Sequence, residues 1–340
     1  MGETARHIGD VQKQTNADDV ALDDARARRD EVLAAGRTFH GVAGSFISGS
    51  LASGMVVGEV EDADGGVKAD RRCYQTLGPD GDGETPTAVV AELQAHVGPL
   101  VRATRADAVV KTMKRGLRVF INEPLPNGQD PYVDMVFAMQ RKDAEGLWIP
   151  NMDAGCWDPS HPAKHVELFI SGSRSLRRTR AQVARLGKVW NKQYSEPALN
   201  SFNICALALE SIASAEPIEV ALLGLFEHAA TSLAVRRTQD PAGISGPINL
   251  EQPKDLAVKR LCEARDALAE ALAHDNDADT VQAAMHRLFW LYVPEPTGLE
   301  SKAAVADKLR TSTPRLRPTA TGVAVAGLLK PKRSFGGPRG

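Results

Sequence analysis

From about residue 173 the chain changes its period. SRSLRRTRAQVARLGKVWNKQY, SFNICALALESIAS, IEVALLGLFEHAATSLAVRR, DLAVKRLCEARDALAEALAHD and DTVQAAMHRLFWLYV all repeat apolar residues at helical spacing. Only PAGISGPINLEQP interrupts them at length. Before residue 173, short alternating runs mix with two helix-period segments, which is the pattern of a sheet with helices on it. A chain with this break folds as an α+β half around a small mixed sheet, followed by an α-helical half. The expected division is 1–172, 173–311 and a basic tail over 312–340, whose six Lys and Arg residues stand with no acid among them.

Composition removes several function classes. The 340 residues are 43% hydrophobic, enough for a sizeable core, and 41 basic against 43 acidic side chains leave a net charge of −2. No global positive field is available to grip duplex nucleic acid, and at 5% aromatic residues a broad stacking platform is not expected. Cys73, Cys156, Cys205 and Cys262 lie far apart without a C-x-x-C pair, which argues against a disulfide framework or zinc knuckle. The stretch MGETARHIGDVQKQ lacks an apolar leader core, and no run approaches 18 uninterrupted apolar residues. A cytoplasmic protein with no membrane contact is the expectation.

In the first half, TNADDVALDDARARRDEVLAAG reads as a charged helix with Val20, Ala21, Ala25, Val32 and Leu33 as its apolar stripe. TFHGVAGS reads as a strand ending in a turn at Gly44–Ser45, with FISGSLASG as a short helix and MVVGEVEDADGGVKAD as a strand. GPDGDGETP is a polar loop, and Pro86 opens a helix over 86–102. KRGLRVFIN and DPYVDMVFAMQ are strands joined through the turn residues Asn127–Gly128, whereas WIPN, GCWDPSHPAKH and SGS are expected to be irregular.

Three features carry chemistry when taken together. Gly44–Ser45, placed at a strand-to-helix turn, lets backbone N–H groups approach a phosphate while the hydroxyl donates to it; alone, such a pair is an ordinary turn. Asp62 and Asp64 are two apart, so on a strand both carboxylates face one point and repel unless a cation lies between them. The ordinary reading of that pair is an exposed turn leading into Gly65–Gly66. Asp134 sits in YVDMVFAM on the face opposite Val133, Met135, Phe137 and Met139, where a carboxylate is costly without a partner or metal. A salt-bridged sheet-margin aspartate is the plain alternative. In this order, glycine–serine, D-x-D and a later lone aspartate form the layout of a polymerase-β-like nucleotidyltransferase palm. In such a palm, three carboxylates hold two divalent ions, Mg²⁺ or Mn²⁺, for in-line displacement at a phosphate.

The details resemble one family. GSFISGS, the sixteen residues separating Ser45 from Asp62, and DADGGV are similar to the cyclic GMP–AMP synthase branch of the bacterial CD-NTase enzymes. WIPN…CWDPSHPAKH, RLGKVWNKQY and PALNSFNICALALE resemble the family's later segments in the same order, so that the likeness spans about residues 36–250. By this resemblance Lys188 and Ser201 hold the donor triphosphate, Asp240 in DPAGIS lies near the nucleobase pocket, and Asp62, Asp64 and Asp134 are the metal-binding catalytic acids. ATP, GTP or other NTPs become a cyclic di- or trinucleotide second messenger, which activates an effector in CBASS antiphage defence. The family also implies a ubiquitin-transfer-like enzyme that conjugates the C-terminal glycine, here Gly340. Residues 68–86 match no family motif. Two other readings remain at this level: a palm that uses an RNA 3′ end or a protein side chain as acceptor, and a decayed palm that only senses nucleotides.

Other patterns are less productive. Lys188 shares its helix with Arg177, Arg178, Arg180, Arg185 and Lys192, which by themselves describe a solvated basic face. His161 and His165 have i, i+4 spacing but no third nitrogen or sulfur ligand nearby, so no zinc site is expected. Ser45 lacks the G-x-S-x-G elbow of a hydrolase, and no G-x-x-x-x-G-K-[ST] loop occurs.

Overall fold

The computed structural model describes residues 2–79, 85–142 and 144–296. Its first half is built on a mixed sheet whose strands are β1 (Val42–Ser48), β2 (Asp62–Ala69), β3 (Val109–Met113), β4 (Gly116–Phe120), β5 (Tyr132–Gln140), β6 (Leu147–Asn151) and β7 (Cys156–Ser160). The order is β1-β2-β5-β4-β3, with β6 pairing β5 and β7. Among the described residues only β2 and β5 pair in parallel. The chain between them crosses over through α4 (Pro86–Thr104), as a parallel pair requires.

Alternation in β5 decides which side of the sheet is core. Val133, Met135, Phe137 and Met139 are fully buried and pack with Val67, Leu117, Val119 and, from α4, Val89, Leu93 and Val97. Helix α2 (Asp19–Arg37) covers the same side, adding Val32 and Leu33. Asp18 caps it by accepting from the Ala21 N–H at 2.8 Å. Gly36 lets the last turn close on the sheet, because a Cβ there would lie 2.6 Å from Met135 Sδ. Val20 of the expected stripe points outward instead, at 65% exposed. The opposite side of the sheet remains available for a site.

Several segments differ from the sequence reading. The stretch 147–169, expected to be irregular, forms β6, β7 and α5 (Pro162–Phe169). Pro159 lies in β7, which pairs only with β6, and Pro150 lies beyond the two-residue contact of β6 with β5. Both prolines therefore avoid a ladder that needs their missing N–H. Helix α1 (Glu3–Thr15) has no counterpart in the sequence reading; its Ile8 and Val11 are buried in the core of the helical half. The strand expected over MVVGEVEDADGGVKAD begins only at Asp62. Within 68–86, Tyr74 and Leu77 are buried, with Tyr74 edge-on to Phe137 at 5.8 Å.

The helical half contains α6 (Arg174–Lys192), α7 (Ser201–Ser211), α8 (Ile218–Val235), α9 (Lys254–Ala273) and α10 (Ala278–Leu288). Trp190, Leu222, Phe226, Leu261, Leu268 and Met285 anchor one continuous apolar core. Length and composition would let α8 cross a membrane. Here its Leu222, Leu225, Phe226 and Leu233 are buried among these helices.

Candidate active site

The parallel register of β2 and β5 sets Asp62 beside Tyr132 and Asp64 beside Asp134. Residues two apart share a face, and neighbouring strands are about 4.8 Å apart, so all three carboxylates meet on the uncovered side of the sheet. One oxygen from each of Asp62, Asp64 and Asp134 lies within 4.8 Å of the other two. This convergence depends on pairing between residues 70 positions apart.

A second layer holds the acids in place. Arg118 on β4 faces Asp134 in antiparallel register. Its Nε and Nη2 each donate to a different Asp134 oxygen, both at 2.7 Å, and the guanidinium stacks 4.0 Å from the centre of the Tyr132 ring. On the other side, β1 ends opposite Asp64 at Ser48, and the chain turns into the short helix α3 (Gly49–Ser53). Gly49 has φ +74°, and a Cβ on it would fall 1.8 Å from Asp64 Oδ2, so the turn and the carboxylate fit together only with glycine there.

The electrostatics follow from burial and crowding. Burial, then the charges of Asp62 and Asp134, push the Asp64 carboxyl up to about 7. Asp62 is raised first by burial, then by Asp134 and Glu61. The Arg118 and Lys188 cations oppose both shifts. Burial and the Asp62 charge also hold the Tyr132 phenol above its ordinary value. Three partly buried carboxylates, kept together although they repel, form an all-oxygen donor set that fits a hard divalent cation.

A stability test follows from the raised Asp64. Its folded value of about 7 lies above the unfolded value of about 3.9, so between them the folded state holds the extra proton. The metal-free protein should therefore lose stability as pH rises from about 4 through about 7, and level off above that. Millimolar Mg²⁺ or Mn²⁺ should restore it at the alkaline end. Thermal melts in chelator and in Mg²⁺ across this range check both; a metal-free stability that does not fall with pH would contradict the reading.

The other expected residues are placed less uniformly. Gly44 and Ser45 lie inside β1, opposite Lys68 and Val67, not at a strand-to-helix turn. By strand alternation Ser45 faces away from the aspartates, because β1 continues to Ser48; the glycine–serine pair at the turn is Gly49–Ser50. Lys188 is not on a solvated face. It is buried, and its Nζ donates to the Met55 carbonyl at 2.9 Å, just past α3. Arg180 of the same helix is also buried, bonded to the Ile212 carbonyl at 3.1 Å. Ser201 is exposed at the first residue of α7, after the cap Asn200.

Asp240 is committed elsewhere. Its side chain is 1% exposed, meets His165 Nε2 at 2.5 Å and accepts from the Ala242, Ile244 and Ser245 N–H groups at 3.2, 3.0 and 2.8 Å. Those contacts close the 240–245 loop onto α5 and leave the carboxylate no free side for a base. His161 accepts from the Lys164 N–H at 3.2 Å as the cap of α5, so both histidines have structural partners. Arg118, Tyr132, Gly49 and Ser50 were missed in the sequence. A charged residue in the strand run KRGLRVFIN is the one visible trace of Arg118, and its partner appears only once β4 and β5 are in register.

A mixed sheet with an aspartate pair on one strand, a third aspartate on the parallel neighbour and a helical half behind it defines a polymerase-β-like nucleotidyltransferase fold. No family model matches the chain, and no curated protein does. Among solved structures, CdnC of E. coli MS115-1 with ATP aligns over 86% of this chain and 99% of its own, at TM-score 0.63 and 17% identity. The Bradyrhizobium diazoefficiens CD-NTase CdnG in complex with GTP aligns over 84% and 95%, at TM-score 0.61 and 13% identity. The Vibrio cholerae DncV cyclic AMP-GMP synthase with nonhydrolysable GTP aligns over 86% and 89%, at TM-score 0.54 and 14% identity. The chain has the CD-NTase fold, and the likeness runs across several branches of that group.

Proposed function

We propose that this protein is a CD-NTase that joins NTPs into a cyclic oligonucleotide. The observation that carries the reading is the set of three convergent carboxylates, one of them raised to about 7, on the open face of a nucleotidyltransferase sheet. A cation-free cluster of that kind is electrostatically unfavourable, and folds keep such clusters where a cation is used. Solved proteins of the same fold, CdnC and CdnG among them, are recorded with ATP and GTP.

Asp62, Asp64 and Asp134 would hold Mg²⁺, or Mn²⁺, by single oxygens. When bound, two such ions supply charge stabilisation for the attacking and leaving oxygens of an in-line displacement at phosphorus. Arg118 keeps the Asp134 carboxylate in one orientation through both of its oxygens. Lys188 adds a fixed positive charge that the aspartates already feel, and its bond to the Met55 carbonyl ties α6 to the end of the α3 turn. Ser48 is level with Asp64 on β1 and Ser50 follows Gly49 in the α3 turn, the side where substrate phosphates would lie. In this reading the palm lies within residues 1–172, with α1 packed into the core of the helical half, and the described part of 173–311, which ends at residue 296, closes over the nucleotides, with Ser201 at the exposed start of α7. Gly44, Ser45 and Asp240 have no part in it, for the positions described above.

A role in antiphage defence, with a cyclic-nucleotide-activated effector in the cytoplasm, is part of the same proposal. Conjugation at Gly340 lies outside the described residues. The purified full chain, given Mg²⁺ or Mn²⁺ and all four NTPs, should release pyrophosphate and accumulate a phosphatase-resistant nucleotide, identified by mass spectrometry. Only linear products, or label transferred to an added RNA or protein, would move the assignment to a different acceptor. Nucleotide binding without pyrophosphate release under any NTP mixture would refute it.

A further inference from the structure

The sheet face that carries the aspartates has a second feature at its other end. Along β2, Asp62, Asp64, Gly66 and Lys68 share that face, and along β5 so do Asp134 and Gln140. Phe46, Ala138 and Leu147 form a small buried apolar cluster between the two ends, with Phe46 lying over Gly66. Beyond this partition a groove of about 960 Å³ opens between the ends of β2 and β5, the start of β6 and the first turn of α5. At about 3.3 Å per residue, Lys68 is roughly 13 Å from Asp64 along the strand, so a ligand here is separate from one at the aspartates.

The groove is lined by cations from different elements: Lys68 at the end of β2, Arg71 in the following turn, and Arg141 and Lys142 after β5. Two other basic residues of the lining already have partners, Arg72 with Asp70 at 2.6 Å and Lys164 with Glu167 at 2.8 Å. The first four pair with no carboxylate among the described residues. Among the described residues, Arg71 reaches the Gln140 carbonyl at 3.3 Å, and its buried Nε meets no hydrogen-bond partner. The Arg141 guanidinium lies 4.8 Å from the centre of the Trp148 ring and bonds the Glu145 carbonyl at 3.3 Å, which leaves it charged and unneutralised. In a chain of net charge −2, four unpaired cations converging from separate elements on one concavity are not an average of the composition.

We infer that this groove is a binding site for a small oligophosphate, distinct from the nucleotides at the aspartates. Phosphate rather than carboxylate is the fitting chemistry because, among the described residues, the four unpaired cations, offset by the one unpaired carboxylate of Glu145 that also lines the groove, leave about three positive charges to be met by a compact body. A di- or triphosphate carries the matching negative charges on adjacent atoms, and the Arg71 and Arg141 forks match phosphate oxygens in pairs. The ligand is either a free oligophosphate or the phosphate chain of a nucleotide, and the two are separable by experiment.

Titration calorimetry on the full chain in chelator, without metal or turnover, isolates this site from catalysis. Failure here therefore leaves the proposed synthase activity untouched, and the reverse also holds. Tripolyphosphate should bind at low salt with affinity at least about tenfold above that for sulfate, and should weaken as salt rises. Lys68→Gln with Lys142→Gln should reduce it by roughly tenfold or more, since two of the four charges are lost. Arg71→Gln is the second variant, and a melt confirms that each remains folded. ATP binding as tightly as tripolyphosphate assigns the site to the phosphate chain alone, and tighter ATP binding that the same variants abolish assigns it to a nucleotide. Tripolyphosphate binding no tighter than sulfate or citrate, or unchanged in both variants, would overturn the inference.

Discussion

Asp64→Asn and Asp134→Ala proteins are expected to lose pyrophosphate release by on the order of 10³-fold or more, while their stabilities move in opposite directions. The loss follows because each substitution removes an oxygen charge from the proposed cation site, where a bound ion would contribute several kcal/mol to a charged transition state, and about 1.4 kcal/mol corresponds to a tenfold rate change. The stability contrast comes from the neighbours. Asp64 is held against Asp62 and Asp134 with its carboxyl raised to about 7, so at pH 8 without metal its charge is a burden and Asn relieves it. The metal-free Asp64→Asn protein should melt a few degrees higher at pH 8, by a shrinking margin down to about pH 4, and show little of the wild-type pH dependence.

Asp134→Ala leaves Arg118 without the carboxylate that both its donors use, in a pair whose side chains are only 19% and 26% exposed. A loss on the order of 1–3 kcal/mol is expected there. Melting curves in chelator, read beside a pyrophosphate assay, check the two variants together. Equal destabilisation of both would mean that the aspartates are simply structural and would remove the cation-site reading.

Gly49→Ala is expected to abolish activity nearly as fully, without touching a catalytic group. The new Cβ would lie 1.8 Å from Asp64 Oδ2, and φ +74° strains any L side chain at that position. Either the α3 turn or the Asp64 carboxylate must move. A displacement of about 1 Å in a positioned group costs on the order of a hundredfold. Gly58→Ala is the matched control: its φ is +68°, but a Cβ there meets nothing within 4 Å. It should show the backbone strain of roughly 1–2 kcal/mol and keep its activity. Pyrophosphate release and Mn²⁺ affinity, measured on both, separate displacement of Asp64 from general destabilisation. Gly49→Ala with wild-type Mn²⁺ affinity would show that the turn tolerates the methyl group.

Much of this site is local in origin and therefore readable along the chain. The spacing of Asp62 and Asp64 needs only strand periodicity to bring both to one face. The apolar alternation around Asp134 likewise shows which side of β5 is core, and the structure keeps it, with Val133, Met135, Phe137 and Met139 buried. The helical half was legible for the same reason, because its five long segments repeat within themselves. What was not legible depends on where an element stops. GSFISGS contains two glycine–serine pairs, and local pattern does not say which one meets the turn. Pairing with β2 carries β1 on to Ser48 and gives the turn to Gly49–Ser50. The prolines of 147–160 suggested loop because a proline cannot join an internal ladder. Their places on β7 and past the end of the β5–β6 contact became known only with the sheet order.

Composition and periodicity alone thus determined an α+β half followed by a helical half, together with three aspartates able to meet. The tertiary structure decided that they do meet, because β2 and β5 pair in parallel with Asp64 level with Asp134. It also decided which groups surround them: Arg118 from β4, Gly49 from the α3 turn and the buried ammonium of Lys188 from α6. The division has a physical cause. A strand's faces and a helix's stripe are set by neighbours two to four residues away, whereas strand register and the burial of a charge are set by residues scores of positions distant, whose pairing lowers the free energy only when the whole sheet forms.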